Sequence, residues 1–158
     1  MLLWYLGPSV LLVAYIFRSQ GIDYRLIAIG AALPFATSLV TWGQSYGSTL
    51  LAAVALLTVT MLATIGRPRL VRRRSLCLAI GYFAGLVLSG AWLDTERFLW
   101  PIGGGAIPVG PILPTWWIVV VLELVGLVAC WWVVGMSDLY EPEPRREFLH
   151  TGRLRTPS

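Results

Sequence analysis

At 158 residues, 57% hydrophobic, with a mean hydropathy of +0.74 and only 13% charged residues, the chain is too apolar for an ordinary soluble domain. The net charge of +4 comes from twelve arginines and no lysine. They stand in short runs beside hydrophobic segments, which argues for a topological role and against a nucleic-acid partner. The expected class is an all-α, polytopic membrane helix bundle.

A membrane-crossing helix needs about 20 mainly apolar residues to pass roughly 30 Å of hydrocarbon. Five segments qualify approximately: 2–17, 26–42, 48–65, 76–93 and 116–134. The first contains Gly7-Pro8 and reads as a retained helix, because no basic leader or small-residue cleavage site accompanies it. The second contains Pro34, which removes a backbone donor and predicts a kink. The connector after it carries Gln44, Ser45 and Tyr46.

The link between the third and fourth segments reads GRPRLVRRRS and carries Arg67, Arg69, Arg72, Arg73 and Arg74. The fourth segment places Gly81, Gly85 and Ser89 four residues apart on one face, a spacing that lets another helix approach closely. A connector rich in proline and apolar residues follows, from Asp94 to Thr115, with Gly103-Gly104-Gly105 as slack. It is expected to cap the bundle or lie on the membrane surface. The fifth segment has Trp116-Trp117 at one end and Trp131-Trp132 at the other, as indole rings at two interfaces would be placed. The charged, proline-containing tail, 136–158, is expected to be flexible or a short surface helix on the cytoplasmic side.

With the N-terminus outside, eleven of the twelve arginines fall inside and Arg97 alone outside. That division fixes the expected orientation: N-terminus out, C-terminus in, in a bacterial plasma membrane.

Few groups suit chemistry. Glu123 lies about 10 Å below the outer end of the fifth segment. An ionised carboxylate at such depth needs a partner, so it reads either as a proton, metal or substrate ligand or as a protonated side chain hydrogen-bonded to a neighbouring helix. Asp94, Glu96 and Arg97 follow the fourth segment and read either as a cation or acid–base site or as a solvated helix end with its own ion pair. Gln44, Ser48, Arg97 and Trp100 are the candidate substrate contacts at that level. The one histidine, His150, lies in the inner tail, which excludes a Ser–His pair across the membrane. Cys77 and Cys130 have no metal-ligand spacing and read as packed thiols.

The succession LGPSVLLV, IDYRLIAIGAALP, STLL, the arginine run, GYFAGLVLSGAWLDTERFLWP and REFLHTGRL resembles actinobacterial members of the YdjM-type membrane-bound metal-dependent hydrolase family, over nearly the whole chain. The resemblance implies that family's fold. It also implies metal-ligand positions, an Asp, two His and a second Asp, which fall here at Phe35, Ser48, Gly85 and Ser89. None of these keeps a nitrogen or carboxylate donor, so no transition metal is expected.

The leading expectation is therefore a structural or accessory membrane protein without a cofactor. It would be surrounded by lipid and could meet other membrane proteins through the Gly81/Gly85/Ser89 face. One alternative is a membrane-embedded hydrolase of a lipid or envelope substrate, using Asp94, Glu96 and Glu123 with a hard cation between them. Another is a small-solute or proton pathway through Glu123.

Overall fold

The computed structural model describes residues 1–17, 22–40, 46–102 and 115–137, together with Tyr140, Glu141, Glu143, Arg146, Phe148 and Gly152. Every regular element among them is helical. The long helices are α1 (Leu2–Phe17), α2 (Tyr24–Val40), α3 (Leu50–Ala63), α4 (Arg69–Leu88) and α6 (Trp116–Met136), with the single turn α5 (Thr95–Phe98) before α6. Gln44, the triple glycine, most of the connector after Pro101 and His150 lie outside the described residues.

Local chemistry sets several boundaries. Thr49 caps α3 by accepting the Ala52 N–H on its hydroxyl at 3.2 Å. Gly66 turns the chain at φ 78°, and Pro68 then leads directly into α4. The arginine run is accordingly helical: Arg69, Arg72, Arg73 and Arg74 occupy the first two turns of α4, where the sequence suggested a link. At the other end, Ser89 accepts the Ala91 N–H at 3.2 Å, and Gly90 reverses the chain at φ 68°. Pro34 does not end α2, which continues to Val40.

Two parallel helix pairs form the frame, and glycine makes each possible. On α2 and α4, Gly81 packs against the Ile27 backbone, Gly85 against Ala31 and Gly30 against Leu78, so residue numbers rise in the same direction along both helices. On α1 and α6, Gly126 abuts Leu3 and Trp4, while Gly7 abuts Ala129 and Cys130. A Cβ at any of these positions would collide with backbone. The chain thus supplies its own partner, α2, to Gly81 and Gly85. Ser89 instead finishes α4, with its hydroxyl donating to the Leu86 carbonyl.

One core cluster joins Val10 and Val13 of α1, Tyr24 and Ile27 of α2, and Cys77 of α4. A second joins Ala53 of α3 to Tyr82 and Leu86 of α4 and to Ala91. The outward faces of α3 and α6 are apolar and open: Leu51, Val54, Val59 and Leu62 on one, Val120, Leu124, Leu127 and Trp131 on the other. Among the described residues, α6 is the helix long and apolar enough to cross a membrane by length and composition, with only 11% of its most apolar window buried. Leu2–Phe17, Tyr24–Thr37 and Leu50–Ala63 are apolar but shorter.

Candidate functional site

The α2–α4 register places Phe35, Gly85 and Ser89 toward the same end of these two helices. Ile27 meets Gly81 and Ala31 meets Gly85; one turn further along each helix stand Phe35 and Ser89. The turn before α3 closes onto the same seam, since Gly47 packs against Thr37 and its carbonyl accepts a 2.6 Å hydrogen bond from the buried Tyr82 hydroxyl. Ser48 is 1% exposed there. The four positions lie toward the same end of the seam, and their occupants pack and cap. Phe35 packs its ring on Tyr5, centroids 5.8 Å apart, and the Ala31 backbone leaves no room for a side chain at Gly85.

Glu123 turns from α6 toward the start of α1. Its Oε1 accepts the Leu3 N–H at 3.4 Å, and its Oε2 lies 3.4 Å from the Met1 amine. The first N–H groups of a helix have no partner inside that helix and carry partial positive charge, so a carboxylate from a neighbouring helix suits the position. Trp4 ties the same end of α1 to α4, its indole N–H donating to the Leu88 carbonyl at 2.9 Å.

Asp94 is engaged locally. It caps α5 by accepting the Arg97 N–H at 3.3 Å, and its other oxygen pairs with Arg97 Nε at 3.4 Å. Glu96 is exposed. Trp100 leans edge-on against Tyr46, centroids 6.1 Å apart, which braces the turn that holds Ser48. No group of three or more His, Cys, Asp or Glu suited to a metal ion occurs among the described residues. Cys77 and Cys130 are both free thiols.

The most elaborate polar arrangement lies at the opposite end, and sequence reasoning passed over it. Asp23, 5% exposed, precedes α2. Its carbonyl accepts the Ile27 N–H at 3.3 Å, and its carboxylate accepts the Arg25 N–H at 3.3 Å. Arg25 Nε reaches the same oxygen at 3.4 Å, and Arg74 Nε comes within 3.9 Å of the other. The tail returns to this point: the Gly152 carbonyl accepts the Tyr24 N–H at 2.9 Å, and the Gly152 N–H donates to Phe148 at 2.8 Å. Gly152 has φ 71° and lies directly against the Asp23 carboxylate, where a Cβ would not fit. Phe148 joins the adjacent core cluster. The sequence suggested a tail that is flexible or a short surface helix; Glu143, Arg146 and Phe148 are helical, and Phe148 and Gly152 are docked. Asp23 and Gly152, more than a hundred residues apart in sequence, meet here.

Comparison with family models, with curated proteins and with solved structures finds no match for this chain.

Proposed function

We propose that the chain is a five-span bacterial plasma-membrane protein that has the fold, but not the metal centre, of the membrane-bound hydrolase-like family it resembles, and that it acts as a structural or accessory protein. The five spans would be α1, α2, α3, α4 and α6, with the N-terminus outside. The orientation is supported by the arginines: Arg25 and the run on α4 stand at the Asp23 end of the bundle, and Arg97 at the other. The outward apolar faces of α3 and α6 suit lipid contact.

The observation that carries the proposal is the α2–α4 seam. A His-and-carboxylate centre needs donor side chains projecting between these helices. Gly85 instead brings the two backbones together against Ala31, and the ring of Phe35 is packed on Tyr5. Two carboxylates toward that end are committed elsewhere, Glu123 to the start of α1 and Asp94 to Arg97.

Purified protein should contain no stoichiometric transition metal by elemental analysis. A bound metal that disappears in Asp94→Asn or Glu123→Gln would overturn the reading. Glu123→Gln keeps an oxygen acceptor for the Leu3 N–H, so the variant should fold and support growth as the parent does. The membrane assignment has its own check: the protein should resist alkaline carbonate extraction, and a fluorescent protein fused to its C-terminus should mature in the cytoplasm.

A further inference from the structure

α4 opens with a concentration of positive charge that its own helix does not relieve. Arg69, Arg72, Arg73 and Arg74 fall in its first two turns, and no acidic residue stands in the first turn. Arg69 and Arg73 are four residues apart on one face, where like charges repel, and the unpaired N–H groups at the start of a helix add partial positive charge of their own. Of these four, Arg74 alone meets a carboxylate, Asp23, at 3.9 Å. Among the described residues Arg67, Arg69 and Arg73 have no ion pair, and Arg72 reaches only the Met61 sulfur, at 3.6 Å.

Between the charges the same edge is apolar. Ile65 and Leu70 are 73% and 67% exposed, and Leu62, on the last turn of α3, and Val71 are open as well. Gly66, at φ 78°, turns the end of α3 into the start of α4, so aliphatic and arginine side chains share one short stretch of surface. Trp131 and Trp132 stand exposed at this end of α6, where the neighbouring Val133 packs on the cluster that holds Tyr24 and Cys77. Exposed indole rings collect where hydrocarbon gives way to headgroups. An acidic peptide in water would answer the arginines and leave Ile65 and Leu70 wet. The boundary of a bilayer satisfies both kinds of side chain.

We propose that the end of α3 and the first two turns of α4 form a binding surface for anionic phospholipids, with Arg69, Arg72 and Arg73 on the phosphates and Ile65 and Leu70 against the upper acyl chains. A guanidinium takes two phosphate oxygens at once. Each arginine at such a surface favours an anionic headgroup by about fivefold. The inference rests on the membrane reading above, in which these arginines set orientation; here they also hold a ligand.

The test is native mass spectrometry of the full-length protein in detergent, titrated separately with phosphatidylglycerol and phosphatidylcholine. Phosphatidylglycerol should be retained at least about tenfold better, more than the roughly fivefold share of one arginine. Arg69→Gln, Arg72→Gln and Arg73→Gln together should bring the two lipids to parity, and the triple Lys variant should keep most of the preference. All three positions are exposed, so the thermal midpoint should stay with the parent's. Leu70→Ser should weaken both lipids alike. A parent preference below fivefold would overturn the proposal, as would a preference that survives the triple Gln variant or falls equally in Arg97→Gln at the opposite end. Tighter binding of a polyglutamate peptide than of phosphatidylglycerol would assign the surface to an acidic chain instead, and displacement of the lipid by millimolar glycerol phosphate would make it a site for free phosphate. Either result sinks the lipid surface. Carbonate extraction run in parallel separates the two readings: a protein that stays in the membrane yet shows no preference sinks the lipid surface alone, and one that is extracted sinks both.

Discussion

Asp23 at one end of the bundle and Asp94 at the other are held in opposite ways. At the arginine end, Asp23 is buried and is met by α2, α4 and the returning tail: Arg25, Arg74 and Gly152 all converge on it. At the far end, Asp94 and Glu96 are exposed, and the ion pair of Asp94 reaches only three residues along the chain. A carboxylate held by distant parts of the chain organises the fold, whereas one paired within a single turn organises only that turn. Of the acidic residues that look chemical in the sequence, Asp94 and Glu96 are thus the less constrained, whereas Glu123 is held by the distant start of α1.

The largest effect should follow Asp23→Ala. The substitution removes the side-chain cap of α2, leaves Arg25 and Arg74 without their carboxylate, and takes away the surface against which Gly152 rests. The ion pairs themselves add little, because the arginine side chains are 35% and 58% exposed. Cap loss and the disrupted tail together should cost about 2–3 kcal/mol, read as a lower thermal midpoint in detergent. A midpoint equal to the parent's would erase the contrast between the two ends.

Gly152→Ala should come next. An L-residue in the left-handed region costs about 1–2 kcal/mol, and here the added Cβ also meets the Asp23 carboxylate. The bundle should remain folded while the tail lifts, so trypsin should cut the tail several-fold faster with the core fragment intact. Unchanged protection would mean that Gly152 does not hold the tail.

Much of the fold was legible because each helix announces itself by composition: the starts and ends of α1, α3 and α6 fall within a few residues of the apolar segments. The small-residue spacing of Gly81 and Gly85 also pointed to a close helix contact. It could not say whose helix, since the matching residues, Ile27 and Ala31, are ordinary apolar side chains whose backbone is what makes the contact. The start of α4 was misjudged for a related reason. Arginine is a good helix former, and reading the run as a topological signal hid its helical propensity. Asp23 and Gly152 escaped notice because their link depends on a tail returning past five helices, and nothing local to either residue encodes that return. The position of Glu123 drew attention correctly, but its partner, the Leu3 N–H, is a backbone group that no sequence pattern displays.

The smallest effect should come from the far end, and it is the sharpest check on the comparison. Asp94→Ala removes one cap from a helix of four residues and one pair whose acidic side chain is 46% exposed. Exposed pairs of this kind contribute below about 1 kcal/mol, and a single cap about as much, so the thermal midpoint should fall by less than in Asp23→Ala. Glu96→Gln should leave it unchanged. Arg97 is the more buried partner, its side chain 12% exposed, so any larger loss in Asp94→Ala would have to arise from leaving that guanidinium without its carboxylate. The double variant Asp94→Ala, Arg97→Ala separates the two causes: if it recovers most of the loss, the pair matters only as a pair. If instead Asp94→Ala leaves stability intact but abolishes growth support, the far end carries a reaction after all, and the accessory reading of the protein falls with it.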